Sequence, residues 1–209
     1  MGRPSRAAGR RADTGGMTAY DAVVLAGGAG RRVGGVDKPG LAVGGRTLLD
    51  RVLDACAQAR RVVVVGPERA TARGGVRWTR EEPPGGGPVA AVAAGLALVD
   101  AERVLLFAAD LPFLDRPTVE RLLAGLADAD GALLVDAAGR DQPLAAAYRT
   151  APLRAALSRL GDPAGQPLRR LLGGLHLLRL ADPEGVAYDC DTWEELAQAE
   201  ERDRAGTGS

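Results

Sequence analysis

The chain has 209 residues, 46% of them hydrophobic and 26% charged, which suits one compact domain. Its 27 basic and 27 acidic residues cancel, so composition provides no general attraction for polyanions and argues against nucleic acid as a partner. No apolar run reaches the roughly 18 residues that a membrane span needs, and two cysteines far apart in sequence fit a reducing cytoplasm.

The two ends of the chain differ in composition from its centre. Residues 1–16 contain four arginines and no hydrophobic leader follows them, so they are predicted to be a disordered tail or an over-long start. Residues 17–201 are predicted to form the folded domain, and residues 202–209 a frayed tail.

Short, continuous apolar runs predict strands that are covered on both faces. The clearest runs are Tyr20–Ala26, Arg61–Val65 and Arg103–Ala109. Weaker strands are predicted at Ala132–Val135, Leu144–Tyr148 and Leu175–Leu180. The last run contains the only histidine, His176, which is predicted to be a packed strand residue rather than a catalytic base.

Apolar residues at helical spacing separate these runs. Helices are predicted over 48–56, over Val89–Val99, after Pro117 and from Thr192. The first and last begin with a capping-box pattern, in which Thr47 is followed by Asp50 and Thr192 by Glu195. This alternation predicts a single α/β domain with a doubly wound, mostly parallel open sheet, helices on both faces, and ligands at the carboxyl edge.

The strongest candidate for a ligand site is the loop after the first strand, Leu25–Pro39, with the sequence LAGGAGRRVGGVDKP. Its glycines allow the backbone to approach a phosphate closely, and their N–H groups can bind an anion. Arg31, Arg32 and Lys38 add positive charge to the same loop. These features predict a triphosphate site; the alternative is an exposed glycine loop with incidental arginines.

Lys38 is the only lysine among 27 basic residues. Its retention in such an arginine-rich chain indicates a specific role, because a compact ammonium reaches between phosphate groups where a planar guanidinium fits poorly. The alternative is an exposed lysine with no function.

Two widespread phosphate-binding motifs do not fit this loop. The dinucleotide fingerprint needs a glycine where Val33 stands, and the P-loop needs a lysine where Val36 stands. The loop must therefore be compared with other nucleotide-binding patterns.

Asp110 follows the buried run Arg103–Ala109, so it is predicted to lie at the ligand edge of the sheet. The alternative is a turn or helix-capping aspartate before Pro112. A weaker signal is Gly85–Gly95, where glycines open a predicted helix.

The loop LAGGAGRRVGGVDKP resembles the signature of the molybdenum cofactor guanylyltransferases, within the wider nucleotidyltransferase superfamily. That signature reads LAGG, three variable residues, Arg, a hydrophobic residue and Gly, with a Lys shortly afterwards. Asp110-Leu111-Pro112 is similar to the family's Asp-x-Pro, and Gly85–Gly95 to its GPLAG segment. The resemblance covers roughly Tyr20 to Ala199; Val33 departs from the usual Met.

The resemblance implies a Rossmann-like nucleotidyltransferase fold and a role for each matching residue. Arg32 and Lys38 would hold the triphosphate, and Asp110 would bind Mg²⁺. The residues that would contact the nucleotide, mainly through their backbone, are Leu25, Ala26, Gly27, Gly28, Gly30, Gly87 and Val89.

The segment before the last helix, Asp189-Cys190-Asp191-Thr192, departs from the Asn-x-Asn-Thr common in relatives. Asp191 would complete the metal shell or face the acceptor, and Asp189 and Gln142 would line the acceptor pocket. The alternative is that Asp189 and Asp191 are ordinary loop acids before a capped helix.

The resemblance implies a cytoplasmic, Mg²⁺-dependent enzyme that transfers GMP from GTP to molybdopterin or its molybdenum form. Transient contact with molybdoenzymes or cofactor-insertion proteins would follow. Guanine is favoured over cytosine because related cytidylyltransferases generally read LAAG, and Gly27 occupies the distinguishing position. The alternatives are a nucleotidyltransferase for another acceptor (cytidylyl, sugar-phosphate or phospholactate type) and a non-catalytic nucleotide- or cofactor-binding protein.

Overall fold

The computed structural model describes residues 19–27, 38–190 and 192–207. These ranges contain strands β1 (Tyr20–Leu25), β2 (Ala42–Val43), β3 (Arg46–Thr47), β4 (Val62–Val65), β5 (Arg77–Thr79), β6 (Arg103–Ala108), β7 (Gly131–Val135), β8 (Asp141–Arg149) and β9 (Leu177–Ala181). The helices are α1 (Leu48–Ala55), α2 (Pro88–Leu96), α3 (Arg116–Ala124), α4 (Thr150–Leu160), α5 (Leu168–Leu172) and α6 (Trp193–Thr207), and a 3₁₀ turn covers Lys38–Gly40.

Seven strands form one open sheet in the order β5-β4-β1-β6-β8-β7-β9. The pairs β4–β5, β1–β4, β1–β6 and β7–β9 are parallel, whereas β8 runs antiparallel to both of its neighbours. The predicted α/β fold with a mostly parallel open sheet is confirmed.

Helices cover both faces of the sheet, which explains why its central strand β4 is apolar at every position. Along β4, Val62 and Val64 belong to one core cluster, with residues of α1 and α3. Val63 and Val65 belong to the other, with residues of α2, α4 and α5. Burying each such side chain contributes about 1.5–3 kcal/mol, so the two-sided core holds the strand ends in fixed register.

A smaller cluster joins the β2–β3 hairpin to the C-terminal helix. Val43 and Leu48 on the hairpin side pack with Cys190 and Ala199 on the α6 side, and all four are buried. This contact packs α6, and the segment that leads into it, against the hairpin.

The predicted threonine N-caps form at both helices, and the full capping box forms at the last helix. Asp50 N donates to Thr47 Oγ1 at 3.0 Å, and Glu195 N donates to Thr192 Oγ1 at 3.1 Å. The reciprocal bond runs from Thr192 N to Glu195 Oε2 at 2.7 Å, so these side chains satisfy helix N-terminal donors as expected.

Two predictions about the second half of the chain are wrong. His176 is exposed and precedes β9 instead of packing within it, because β9 is an edge strand with one neighbour. The tail predicted to be frayed from residue 202 is helical through Thr207, since Arg202 stacks on Phe113 and Asp203 pairs with Arg51. The predicted tail 1–16 lies outside the described residues.

Within the described ranges, no helix is both long enough and apolar enough to cross a membrane.

Candidate active site

Four parallel strands end side by side at the carboxyl edge of the sheet. Leu25 at the end of β1 pairs with Val65 of β4 and Ala108 of β6. Val65 in turn pairs with Thr79 of β5. The residues that follow this row therefore emerge together at the edge where ligands of open α/β sheets bind.

Three residues lie two positions beyond these paired strand ends: Gly27 after β1, Glu81 after β5 and Asp110 after β6. A Cβ atom built on Gly27 would lie 3.8 Å from Glu81 Oε2 and 3.7 Å from Val65 O. The Glu81 carboxylate, which also accepts from Gly85 N at 3.2 Å, thus borders the glycine loop. Sequence reasoning missed Glu81, because only the register of β5 places it here.

Lys38 and Asp110 form an ion pair between Nζ and Oδ2, although they stand far apart in sequence. Their side chains are only 13% and 19% exposed, so surrounding protein shields the pair from water. The structure thus brings together a cation and an acid that the sequence predicted to act at one site.

The second carboxylate oxygen of this pair, Asp110 Oδ1, is buried and has no hydrogen-bond partner among the described residues. A buried, unsatisfied polar atom is costly, and a divalent cation is a natural partner for such an oxygen. The capping alternative does not hold, because Asp115 caps α3 by accepting from Thr118 N at 2.9 Å.

The residues present fit Mg²⁺ better than a metal that needs several protein ligands. Among the described residues, no group of three or more His, Cys, Asp or Glu side chains could hold a metal ion. Mg²⁺ commonly binds one or two carboxylates and takes its other ligands from water and substrate phosphates.

The N-terminus of α2 lies at the same edge, because this helix follows β5, although Pro88 at its first position has no N–H to donate. Gly87 is its N-cap, with a φ of 88° that favours glycine. The first-turn N–H groups have no intrahelical acceptors and attract negative charge. Val89, which the sequence predicted to contact the nucleotide, is fully buried in the core, backbone included.

Two other predicted nucleotide contacts, Leu25 and Ala26, are held by the sheet itself. Leu25 O accepts from Ala109 N at 3.0 Å, and Ala26 N donates to Val65 O at 2.8 Å. These bonds fix the start of the glycine loop.

On the other side of Asp110, the antiparallel strand β8 begins. If the register of Phe107 with Ala145 is continued, Gln142 lies level with Asp110 along the edge. Gln142 Nε2 donates to Asp136 Oδ2 at 3.0 Å. The Arg140 N–H that Asp136 also accepts lowers the pKa of the Asp136 carboxyl.

The segment before α6 also reaches the site. Cys190 N donates to Asp110 O at 3.3 Å. Burial of the Cys190 thiol, reinforced by the nearby Asp110 carboxylate, raises its pKa to about 12. Asp189 is exposed beside this contact.

Four predicted site residues lie outside the described residues: Gly28, Gly30, Arg32 and Asp191. Their roles stay predictions from the sequence.

An open α/β sheet that gathers a lysine, an aspartate and a helix N-terminus at its carboxyl edge is an architecture suited to binding a nucleotide. The sequence model of the MobA-like NTP transferase domain matches residues 22–180, and the chain belongs to this family. The family predicted from the glycine loop is thereby confirmed.

A molybdenum cofactor guanylyltransferase of Bradyrhizobium sp. (strain ORS 278) is 38% identical over 131 residues, which are 58% of this chain and 62% of that protein. The match therefore spans less than two thirds of that relative.

Two solved structures share the fold at under 25% identity. One is molybdopterin-guanine dinucleotide biosynthesis protein A from Archaeoglobus fulgidus, with a TM-score of 0.69, 22% identity, and coverage of 88% of this chain and 99% of that chain. The other is 2-C-methyl-D-erythritol 4-phosphate cytidylyltransferase from Thermus thermophilus, with a TM-score of 0.65, 24% identity, and coverage of 88% and 98%. The second is named for a cytidylyl activity, so the fold alone does not decide the base.

Proposed function

We propose that the chain transfers GMP from GTP to molybdopterin or its molybdenum form, with release of pyrophosphate. The observation that carries this proposal is the shielded Lys38–Asp110 pair at the carboxyl edge of the sheet. A fixed cation and an acid with one unsatisfied oxygen are the groups that a triphosphate and its divalent cation require. The resemblance to a guanylyltransferase supports the choice of nucleotide and acceptor.

The reaction is an in-line displacement at the α-phosphorus of the nucleotide. A phosphate oxygen of the acceptor forms a bond to that phosphorus, while the bond to the oxygen that bridges the α- and β-phosphates breaks. Pyrophosphate leaves with the electron pair of that bond. The attacking oxygen is already anionic, so the enzyme needs no side-chain base, and catalysis rests on positioning and charge stabilisation.

In this scheme Lys38 and Asp110 have different electrostatic roles. The Lys38 ammonium stabilises negative charge that grows on the α-phosphate and the departing pyrophosphate. Asp110 Oδ2 orients that ammonium, and Oδ1 would hold Mg²⁺. When bound, the ion supplies further charge neutralisation to the phosphates.

The position of the Glu81 carboxylate supports guanine over cytosine as the base of the nucleotide substrate. The pairing edge of guanine carries adjacent N–H donors on N1 and N2, from which one carboxylate can accept, whereas cytosine has a single amino donor on N4 beside the acceptors N3 and O2. A base that contacts the backbone at Gly27 would lie within reach of Glu81 Oε2. A mismatched polar group at such a site costs about 1–3 kcal/mol.

The test is pyrophosphate release from each of the four NTPs with purified molybdopterin and Mg²⁺. We expect kcat/KM for GTP to exceed that for CTP by at least about tenfold. Glu81→Gln should reduce this ratio, whereas Glu102→Gln, at the opposite edge of the sheet, should not. Equal use of CTP would contradict the guanylyl assignment alone. No turnover of any NTP with molybdopterin would contradict the acceptor as well.

A further inference from the structure

Arg51 on α1 binds three separate parts of the chain through one guanidinium group. Its Nε and Nη2 donate to Val43 O at 3.0 and 2.6 Å. Its Nη1 donates to Pro112 O at 3.3 Å, and its Nη2 pairs with Asp203 Oδ1 at 2.7 Å. The Arg51 side chain is 16% exposed, so these contacts are partly shielded from water.

Two of these contacts are to backbone carbonyls in the segments that carry Lys38 and Asp110. Leu41 N donates to Lys38 O at 3.0 Å, and Val43 lies two residues beyond Leu41 in the hairpin strand. Pro112 lies two residues beyond Asp110 in the loop after β6. The guanidinium therefore connects the backbone that carries the ammonium to the backbone that carries the carboxylate.

The third contact holds Arg51 from the side of α6. Gly44, in the hairpin turn, has a φ of 59°, and a Cβ there would come within 2.0 Å of Asp203 Oδ2. Gly44 N also donates to Glu200 Oε1 at 3.2 Å. Close docking of α6 onto the turn thus fixes Asp203, and Asp203 fixes the plane of the Arg51 guanidinium.

We propose that Arg51 is a positioning residue that sets the distance between the Lys38 ammonium and the Asp110 carboxylate. The inference rests on the proposed function, which makes that pair the catalytic centre. A displacement of about 1 Å at a reacting centre can cost on the order of 100-fold in rate. Lysine would not replace Arg51, because a point charge cannot serve two carbonyls and a carboxylate in the geometry of a planar fork.

The activity test compares Arg51→Ala and Arg51→Lys with Arg61→Ala. Arg61 is a matched control, because it also pairs with a carboxylate (Asp100), donates to a carbonyl (Leu98 O) and is 21% exposed, but it lies at the opposite edge of the sheet. Both Arg51 variants should lose about 10- to 100-fold in kcat, with KM for GTP changed less than about threefold. The control should keep its kcat while losing similar thermal stability.

The second measurement does not depend on turnover. Because Lys38 is the only lysine, selective ¹⁵N labelling of lysine side chains gives a single Nζ resonance. This resonance should be protected from exchange in the parent and in Arg61→Ala, and shifted or exchange-broadened in Arg51→Ala and Asp110→Asn. If Arg51→Ala does not fold, Arg51→Lys gives the same comparison.

An unchanged Lys38 resonance together with an unchanged kcat in the Arg51 variants would overturn the inference. An equal loss of both in Arg61→Ala would overturn it too, since the effect would then be general destabilisation. The two proposals can also fail separately. If the parent turns over no NTP, the proposed function is contradicted. If the parent nevertheless shows the protected Lys38 resonance, and the Arg51 variants lose it, the positioning of Lys38 by Arg51 is still supported.

Discussion

Replacing Lys38 with alanine is expected to lower kcat by about 100- to 1000-fold. The ammonium is 13% exposed and already oriented by Asp110, so it meets the definition of a preorganised charge-stabilising group. Loss of one such donor typically costs about 2.7–4 kcal/mol of transition-state stabilisation. Lys38→Met, which keeps an apolar stem and removes the charge, should lose as much as Lys38→Ala.

The assay is pyrophosphate release at saturating GTP, molybdopterin and Mg²⁺, with thermal unfolding measured in parallel. Stability should fall by about 1–3 kcal/mol, because Asp110 loses its charged partner in a shielded site. Lys38→Arg should recover little of the rate, since a planar guanidinium does not replace a compact ammonium between an aspartate and phosphate groups. A kcat for Lys38→Arg within about threefold of the parent would refute the reasoning from the compact ammonium.

Three further outcomes are expected. Asp110→Asn should keep the fold and abolish Mg²⁺-dependent turnover, as seen by circular dichroism and Mg²⁺ titration; full activity, or unfolding, would contradict its proposed role. Gly27→Ala should leave Tm unchanged, because its Cβ meets no atom of the described residues closer than 3.7 Å, but should narrow the GTP/CTP ratio of kcat/KM; an unchanged ratio would contradict base contact there. Burial raises the pKa of the Cys56 and Cys190 thiols from 9.0 to about 12, so the native protein should not react with thiol reagents at pH 7. Rapid labelling of both thiols at pH 7 would contradict this burial. Between about pH 9 and 12 the folded protein keeps both thiol protons, whereas the unfolded chain loses them, so the free energy of unfolding measured by urea denaturation should fall as pH rises above about 9.

The central strands could be predicted from the sequence because a strand covered on both faces is apolar at almost every position. The run Arg61–Val65 shows this, since alternate valines of β4 enter different core clusters. Strand β5 (Arg77–Thr79) could not be predicted in the same way, because it is three residues long, polar and partly exposed. The apolar run Leu175–Leu180 predicted β9 correctly but misplaced His176, since periodicity does not distinguish an edge strand from a central one.

The residues of the candidate site also differ in whether a local sequence pattern identifies them. Lys38 and Asp110 could be found because a loop motif and a strand end mark them locally in the sequence. Glu81 could not, because its position depends on the register of β5 against β4. Arg51 could not either, because its partners at 43, 112 and 203 are backbone carbonyls and a distant carboxylate, and no local pattern encodes them.

Lys38 and Arg51 show which task suits each kind of cation in a chain whose 27 basic residues include a single lysine. At position 51 the task is to hold two backbone carbonyls and one carboxylate in a fixed arrangement, and the planar fork of arginine suits it. At position 38 the task is to place a compact charge between an aspartate and, in the proposed reaction, the phosphates of a nucleotide. A guanidinium at position 38 would spread its charge over a plane, whereas the proposed role needs a compact charge between the carboxylate and the phosphates. If Arg51 is the positioning residue proposed above, its fork holds the backbone on either side of the Lys38–Asp110 pair, and the single ammonium acts across the spacing that this fork maintains.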